Sequence, residues 1–251
     1  MTEPTIRNWT ASDGVELAYH ELGQGRAVVL LHGLFSDANM NWIKFGTADR
    51  IAREGFRVIM PDHRAHGLSG KPHGAEYYPK GILARDVREL VALLGLADFD
   101  LGGFSLGART TVEAVGEGMR PRRAILGGAG LEGLRNWKRR KDFFLEAIAM
   151  FDTVQRGDPH WLSIQFMKSQ KVDCVAAVQL LDSFEDAFMD WLQAFTMPTL
   201  VVCGDQDDDN GSAEELAGVL PNATFREIPG THMSSVTRPE LGDAIAEFLV
   251  S

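Results

Sequence analysis

A Gly-Phe-Ser-Leu-Gly segment at residues 103–107 constrains the fold of this chain more than any other part of its sequence. An apolar run that includes Phe99 and Leu101 precedes the segment, and a helical pattern at 109–118 follows it. A turn this sharp between a strand and a helix favours glycine on both sides of the serine, because larger side chains would crowd the neighbouring strand and helix. The turn presents the hydroxyl of Ser105 at the start of the helix, so the pattern predicts a nucleophilic serine.

Two later segments supply candidates for a base and an acid. A β-like run at 198–203 leads into Gly-Asp-Gln-Asp, and a shorter run at 224–228 is followed by Pro-Gly-Thr-His. The polar residues therefore lie just past the carboxyl ends of strands, where open α/β sheets gather their chemistry. A serine hydroxyl is hardly ionised at neutral pH and needs a neighbouring base. We predict that His232 is this base and that Asp207 accepts the second N–H of its imidazole ring.

Four stretches carry a resemblance to the α/β-hydrolase superfamily, which extends from Val28 to Val250. They are Leu-Leu-His-Gly-Leu-Phe at 30–35, Pro-Asp-His-Arg-Ala-His-Gly-Leu-Ser at 61–69, Gly-Gly-Phe-Ser-Leu-Gly at 102–107 and Gly-Asp-Gln-Asp at 204–207. The second stretch is similar to the family's D-x-R-G-x-G-x-S segment, with Ala65 in the position of a glycine. The predicted nucleophile, acid and histidine also follow one another in the family's chain order.

This resemblance implies an α/β fold with a mostly parallel eight-stranded sheet, flanked by helices and carrying a helical cap after the sixth strand. It also implies that the backbone N–H groups of Leu34 and Leu106 form an oxyanion hole, which binds the negative charge that develops on a carbonyl oxygen. Two alternatives to Asp207 as the acid stay open. Asp205 is close in sequence, and some family members take the acid from the segment after the sixth strand, where Glu132 stands.

The length of 251 residues suits one substantial domain. Between 130 and 196 the alternation of strands and helices breaks, and apolar residues recur at helical spacing. We therefore predict a core formed by residues 1–129 and 197–251, with the helical cap at 130–196. Aromatic residues in and near the cap predict an apolar substrate pocket, lined by Phe35, Phe104, Trp137, Phe144 and Trp191.

Other polar clusters are given simpler interpretations. His63 and His66 beside Asp62 could imitate a metal site, but the family resemblance explains this segment better, and His32 and His66 are predicted to brace loops by hydrogen bonds. We predict no metal and no cofactor.

The basic run Lys-Arg-Arg-Lys at 138–141 is interpreted as the solvated face of a cap helix, with a rim that attracts carboxylates as the alternative.

The charge balance and the cysteine content limit the classes of partner. The chain has 25 Lys and Arg against 35 Asp and Glu, a net charge of −10, which disfavours nucleic acid and anionic membrane surfaces. Two cysteines provide no disulfide framework, and no stretch resembles a signal peptide or a membrane span. We expect a cytoplasmic monomer or homodimer whose partner is a small apolar ester, not a nucleic acid or a membrane.

The serine at the turn favours a hydrolase that forms an acyl-enzyme on a small to medium carboxylic ester or a lactone. It argues against the haloalkane dehalogenase and epoxide hydrolase branches of the superfamily, which carry aspartate there. Three alternatives remain. They are a carbon–carbon bond hydrolase of the meta-cleavage type, a cofactor-free perhydrolase, and a small-molecule receptor that retains the three catalytic residues.

Overall fold

The computed structural model describes residues 3–251, so the first two residues of the predicted core lie outside the described residues. Eight strands form one sheet in the order β1-β2-β4-β3-β5-β6-β7-β8. The pairs β1–β2 and β2–β4 are antiparallel and all others are parallel, which confirms the predicted mostly parallel sheet. The strands are β1 (Thr5–Thr10), β2 (Glu16–Gly23), β3 (Arg26–Leu31), β4 (Phe56–Pro61), β5 (Phe99–Phe104), β6 (Ala124–Gly127), β7 (Thr199–Gly204) and β8 (Ala223–Ile228).

Strand β3 shows why the central strands are apolar without alternation. Successive side chains of a strand point to opposite faces of the sheet. Val29 and Leu31 enter the apolar core on one face, while Val28 and Leu30 enter the core on the other face. All four side chains are fully buried, because helices cover both faces of a parallel sheet.

Residues 3–251 form ten α-helices, some of which flank the sheet. The core on one face takes apolar side chains from α2, α3 and α8, and the core on the other face takes them from α1 and α10. Within residues 3–251 no helix is both long enough and apolar enough to cross a lipid bilayer. The helices are α1 (Thr47–Arg53), α2 (Ile82–Leu93), α3 (Leu106–Gly116), α4 (Leu131–Arg135), α5 (Trp137–Ala149), α6 (Trp161–Ser169), α7 (Cys174–Ser183), α8 (Ala213–Val219), α9 (His232–Ser235) and α10 (Pro239–Val250).

Helices α4 to α7 are inserted between β6 and β7 and share apolar contacts with loops of the core. Leu180 of α7 packs in one cluster with Leu106, the first residue of α3. Trp137 of α5 and Leu181 of α7 pack in a second cluster with Phe35, which follows β3. The inserted helices therefore cover the ends of β3 and β5, where the predicted nucleophile lies.

Candidate active site

Ser105 occupies the sharp turn between β5 and α3. Its backbone has φ 54° and ψ −110°, a conformation that side-chain-bearing residues adopt rarely and at a cost of about 1–3 kcal/mol. Its N–H donates to the carbonyl oxygen of Gly127 at 2.8 Å, which anchors the turn to β6. A Cβ atom at Gly107 would overlap the carbonyl oxygen of Leu31, and one at Gly103 would overlap the backbone of Gly107. Both glycines are thus required by close backbone approach.

The structure brings the three predicted side chains into one hydrogen-bonded chain. His232 begins α9 after β8, and its Nε2 lies 3.0 Å from Oγ of Ser105. Its Nδ1 lies 2.9 Å from Oδ2 of Asp207, which follows β7. An ionised carboxylate can only accept, so Nδ1–H donates to Asp207 and Nε2 is left to accept from the serine hydroxyl. The ring of Phe104 packs against the imidazole at 5.1 Å between centroids.

Asp207 is buried and held by three donors. Oδ2 also accepts from the thiol of Cys203 at 3.3 Å, and Oδ1 accepts from the N–H of Asp209 at 3.2 Å. Burial alone would raise the pKa of Asp207, but the hydrogen bonds from His232, Cys203 and Asp209 outweigh it and lower the pKa. Burial and the neighbouring carboxylate raise the pKa of Cys203 to about 12, so its thiol stays protonated and donates. The carboxylate is therefore ionised at neutral pH.

The two alternative acids have other partners. Oδ1 of Asp205 accepts from the N–H of Gly230 at 2.7 Å and so shapes the loop that precedes His232. Glu132 is exposed on α4 and lies 3.5 Å from a guanidinium nitrogen of Arg139. Neither carboxylate reaches Nδ1 of His232, whose partner is Asp207.

The amide groups predicted to bind an oxyanion are unoccupied by protein acceptors. Among residues 3–251, the N–H groups of Leu34 and Leu106 donate no hydrogen bond. The loop that carries Leu34 passes close to the nucleophile, since a Cβ atom at Gly33 would lie 3.5 Å from Cβ of Ser105. Both N–H groups are thus available to an oxygen atom bound beside Ser105.

Buried histidines hold this loop in place. Nε2 of His66 accepts from the N–H of Phe35 at 3.0 Å, and Nε2 of His32 accepts from the N–H of His63 at 2.9 Å. Nδ1 of His32 donates to the carbonyl oxygen of Gly33 at 2.7 Å. Burial lowers the pKa of all three imidazoles, and that of His66 to about 3, so each stays neutral and can accept. The bracing role predicted for His32 and His66 matches these bonds, while His63 was assigned no such contact from the sequence.

A narrow cavity opens beside Ser105. Its volume of about 30 Å³ is roughly the room that two or three water molecules need. The apolar part of its wall includes Leu34, Leu106, Leu134, Trp137 and Phe144, and the polar part consists of Ser105, Arg109, Arg140 and Asn210. The wall beside Ser105 thus combines apolar side chains with two positively charged ones.

The predicted pocket residues divide into two groups. Trp137 and Phe144 line the cavity. Phe35 lies behind Phe144, with 5.3 Å between ring centroids, and Phe104 is buried in β5 beneath His232. Trp191 packs against Gly116 at the end of α3, away from Ser105. Phe35, Phe104 and Trp191 thus lie outside the lining of this cavity, because helical spacing reveals an apolar face but not which neighbour that face meets.

Sequence analysis missed two polar residues of the wall. Arg109 was passed over although it lies in the first turn of the helix that follows Ser105. Asn210 donates from its side chain to the carbonyl oxygen of Gly128 at 2.7 Å and had no sequence signal. Within residues 3–251 no group of three or more His, Cys, Asp or Glu side chains is arranged to hold a metal ion.

Comparison with known proteins agrees with this architecture. A family model described as alpha/beta hydrolase fold matches residues 26–124. The chain is 30% identical over 262 residues to a non-heme haloperoxidase from Rhodococcus erythropolis, covering 88% of this chain and 90% of the relative. It is 29% identical over 259 residues to the non-heme chloroperoxidase CPO-A1 from Kitasatospora aureofaciens, with the same coverage of 88% and 90%.

A solved structure supports the same assignment. The thermophilic esterase from Thermogutta terrifontis matches with a TM-score of 0.73 at 27% identity, covering 99% of this chain and 98% of the esterase. The similarity in sequence extends over most of both chains, and the similarity in fold over nearly all. This chain belongs to the α/β-hydrolase family.

Proposed function

We propose that this protein is a serine hydrolase that cleaves a short carboxylic ester, or a lactone, through an acyl-enzyme. One observation carries the proposal. Nε2 of His232 lies 3.0 Å from Oγ of Ser105, while Asp207 holds Nδ1 at 2.9 Å. A neutral imidazole oriented in this way can take the serine proton at the moment of attack, which makes the hydroxyl a strong nucleophile.

The first half-reaction transfers the acyl group to the enzyme. Oγ of Ser105 attacks the ester carbonyl carbon, and its proton passes to Nε2 of His232. The carbonyl oxygen becomes an oxyanion, which the N–H groups of Leu34 and Leu106 can bind. The carbon–oxygen bond to the alcohol then breaks, and the imidazolium gives its proton to the departing alcohol. Asp207, ionised because its hydrogen bonds lower its pKa, stabilises the imidazolium between these steps.

The second half-reaction returns the free enzyme. A water molecule attacks the acyl carbon and gives a proton to Nε2 of His232. The bond to Oγ of Ser105 breaks, and the proton moves from the imidazolium to the serine oxygen. One ester and one water thus give one carboxylic acid and one alcohol. The narrow cavity favours a short acyl group over the long chain of a lipid.

A second candidate function is a perhydrolase, and the two haloperoxidase relatives favour it. Hydrogen peroxide would replace water in the second half-reaction, and the acyl-enzyme would then release a peracid instead of a carboxylic acid. The peracid would oxidise halide in solution. The same serine, base and acid serve both reactions. The two functions differ only in whether water or hydrogen peroxide attacks the acyl-enzyme.

The proposal is tested by labelling and kinetics on matched serine variants. A fluorophosphonate should label the wild-type protein at Ser105 and fail to label Ser105→Ala. The kcat/KM for ethyl acetate should fall by more than about a thousandfold in that variant. Ser169→Ala is the control, because Ser169 is exposed at the end of α6 and should leave both readouts unchanged.

Two outcomes would contradict the proposal. One is a Ser105→Ala variant that keeps a tenth or more of the wild-type activity. The other is a label that is found on a residue other than Ser105. Adding hydrogen peroxide and bromide to the same assay tests the second candidate, which requires acetate-dependent halogenation that the Ser105→Ala variant lacks.

A further inference from the structure

Two guanidinium groups line the cavity beside Ser105 without an acidic partner. Within residues 3–251, neither Arg109 nor Arg140 has a carboxylate oxygen within the 4.0 Å that defines an ion pair. Nη1 of Arg109 is buried and has no hydrogen-bond partner among these residues. Arg140 donates one hydrogen bond, to the backbone carbonyl oxygen of Asp209. Most donors of the two groups therefore have no acceptor among the described residues.

The fold directs Arg109 towards the nucleophile. The N–H of Arg109 donates to the carbonyl oxygen of Ser105 at 3.0 Å, so the two residues stand one helical turn apart. Ser105 is the N-cap of α3, so Arg109 lies in the first turn of the helix that begins at the nucleophile. Side chains on a helix also lean towards its amino end, which brings the guanidinium of Arg109 back over the start of α3.

Aromatic rings of the inserted helices hold both guanidinium groups. The guanidinium of Arg109 lies over the ring of Trp137 at 5.3 Å, and that of Arg140 lies over the ring of Phe144 at 5.7 Å. Stacking on a ring uses the flat face of a guanidinium and leaves the N–H donors at its edge free. This arrangement orients the donors before a ligand arrives, which lowers the entropy lost on binding.

Both arginines are half-buried, where a charge without an ion-pair partner is unfavourable, so an anion bound between them would be stabilised. Burial lowers the pKa of both arginines, although Glu113 and Asp186 act on Arg109 from a distance, and Asp207 and Asp209 act on Arg140. None of these acids forms an ion pair with either guanidinium. The cavity wall therefore carries a local positive charge, although the net charge of the whole chain is −10.

The basic run at 138–141 is divided by the helix that carries it. Lys138 and Arg139 are exposed, with 87% and 79% of their side-chain surface open to solvent. Arg140 instead turns inward to the cavity. The interpretation of the run as a solvated face therefore holds for its first two residues, while Arg140 matches the alternative of a group that attracts carboxylates.

We propose that Arg109 and Arg140 bind a carboxylate of the substrate, so that the preferred ester is the monoester of a short dicarboxylic acid. This inference rests on the proposed serine hydrolase function and replaces the expected apolar ester. A planar carboxylate accepts two parallel hydrogen bonds from a guanidinium. The helical turn between Ser105 and Arg109, together with the narrow cavity, limits the acid to a few carbons. Monoester and water give the dicarboxylate, the alcohol and a proton.

The kinetic test compares two esters of equal size. Monoethyl succinate carries the carboxylate, and ethyl levulinate has an acetyl group in its place. The wild-type protein should prefer the succinate ester by at least tenfold in kcat/KM. This ratio should fall about 10- to 100-fold in Arg109→Gln and in Arg140→Gln, the effect expected for a lost charge-assisted hydrogen bond. Arg139→Gln, an adjacent exposed arginine, is the matched control and should keep the wild-type ratio.

A binding measurement separates this inference from the proposed function. Calorimetric titration of Ser105→Ala should detect monoethyl succinate at a lower Kd than ethyl levulinate, and adding Arg140→Gln should remove the difference. Binding without turnover in the wild-type protein would refute the hydrolase and keep the carboxylate site. Turnover with equal kcat/KM for both esters would refute the carboxylate site and keep the hydrolase.

Two further outcomes would overturn the inference. The first is an unchanged substrate ratio in both arginine variants. The second is competitive inhibition by inorganic phosphate as strong as that by succinate, which would indicate a general anion site. Melting temperatures identify any variant that fails to fold, and Arg140→Gln tests the site even if Arg109→Gln does not fold.

Discussion

Replacing Asp207 by asparagine changes one atom of the hydrogen-bonded chain and reverses its direction. Oδ2 of Asp207 accepts from Nδ1 of His232 at 2.9 Å and from the thiol of Cys203 at 3.3 Å. Oδ1 accepts from the N–H of Asp209 at 3.2 Å. The carboxylate therefore faces donors at both oxygens, and the NH₂ group of an asparagine must face one set of them.

Each orientation of the asparagine has its own cost. With the NH₂ group towards Asp209, two N–H donors face each other, and the buried unpaired donor costs about 1–3 kcal/mol. With the NH₂ group towards His232, it donates to Nδ1, so that the ring proton moves to Nε2 and points at Ser105. In that tautomer the histidine is no longer a base. Enzymes with this arrangement lose about 10⁴-fold in kcat, or about 5 kcal/mol of transition-state stabilisation.

The assay is the hydrolysis of a short ester by Asp207→Asn, with Asp205→Asn as the matched control. We expect kcat to fall by about 10³- to 10⁴-fold in Asp207→Asn. We expect less than about a tenfold loss in Asp205→Asn, because an amide oxygen can still accept from the N–H of Gly230. Equal losses in the two variants, or more than a tenth of the wild-type kcat in Asp207→Asn, would refute the reasoning.

Three predictions concern the scaffold of the site. Gly107→Ala should lower the free energy of unfolding by at least about 2 kcal/mol in urea titrations and reduce fluorophosphonate labelling, because the added Cβ overlaps a carbonyl oxygen of β3. Burial lowers the pKa of His66 to about 3, so between pH 6.5 and 3 the unfolded chain binds a proton that the folded chain does not. The free energy of unfolding should therefore fall with decreasing pH, by up to about 1.4 kcal/mol per pH unit from this group, and His66→Gln should flatten the slope. Asp86→Ala should cost about 3 kcal/mol, because it removes one of the two carboxylates that pair with the fully buried guanidinium of Arg64 and leaves only Asp13, whereas Asp98→Ala removes an exposed pair and should cost less than about 1 kcal/mol.

The parts of the site that depend on backbone shape were predictable from the sequence. The turn at Ser105 permits no Cβ at Gly103 or Gly107. Glycine is therefore required at a fixed spacing on both sides of the serine, and this spacing is visible in the sequence. The strand ends that carry Asp207 and His232 are similarly marked by apolar runs that stop at polar residues. Each of these patterns lies within a short segment of the sequence. The parallel sheet then brings the three segments together at one edge.

The walls of the cavity were not predictable, because they depend on how the inserted helices meet the core. Trp137 and Trp191 both stand at helical spacing among apolar residues of the inserted segment, but one lines the cavity and the other packs on Gly116. The four-residue spacing between Ser105 and Arg109 was visible. The role of Arg109 could be inferred only from the structure, in which no acidic side chain of the described residues pairs with it.

The order in which the hydrogen-bonded chain is encoded has a consequence for protein synthesis. Ser105 lies 127 residues before His232, and Asp207 lies 25 residues before it. The ribosome therefore delivers the nucleophile early and the base late. On the proposed mechanism, a nascent polypeptide that ends within β7 carries Ser105 without His232, and we expect it not to cleave esters while it emerges from the exit tunnel.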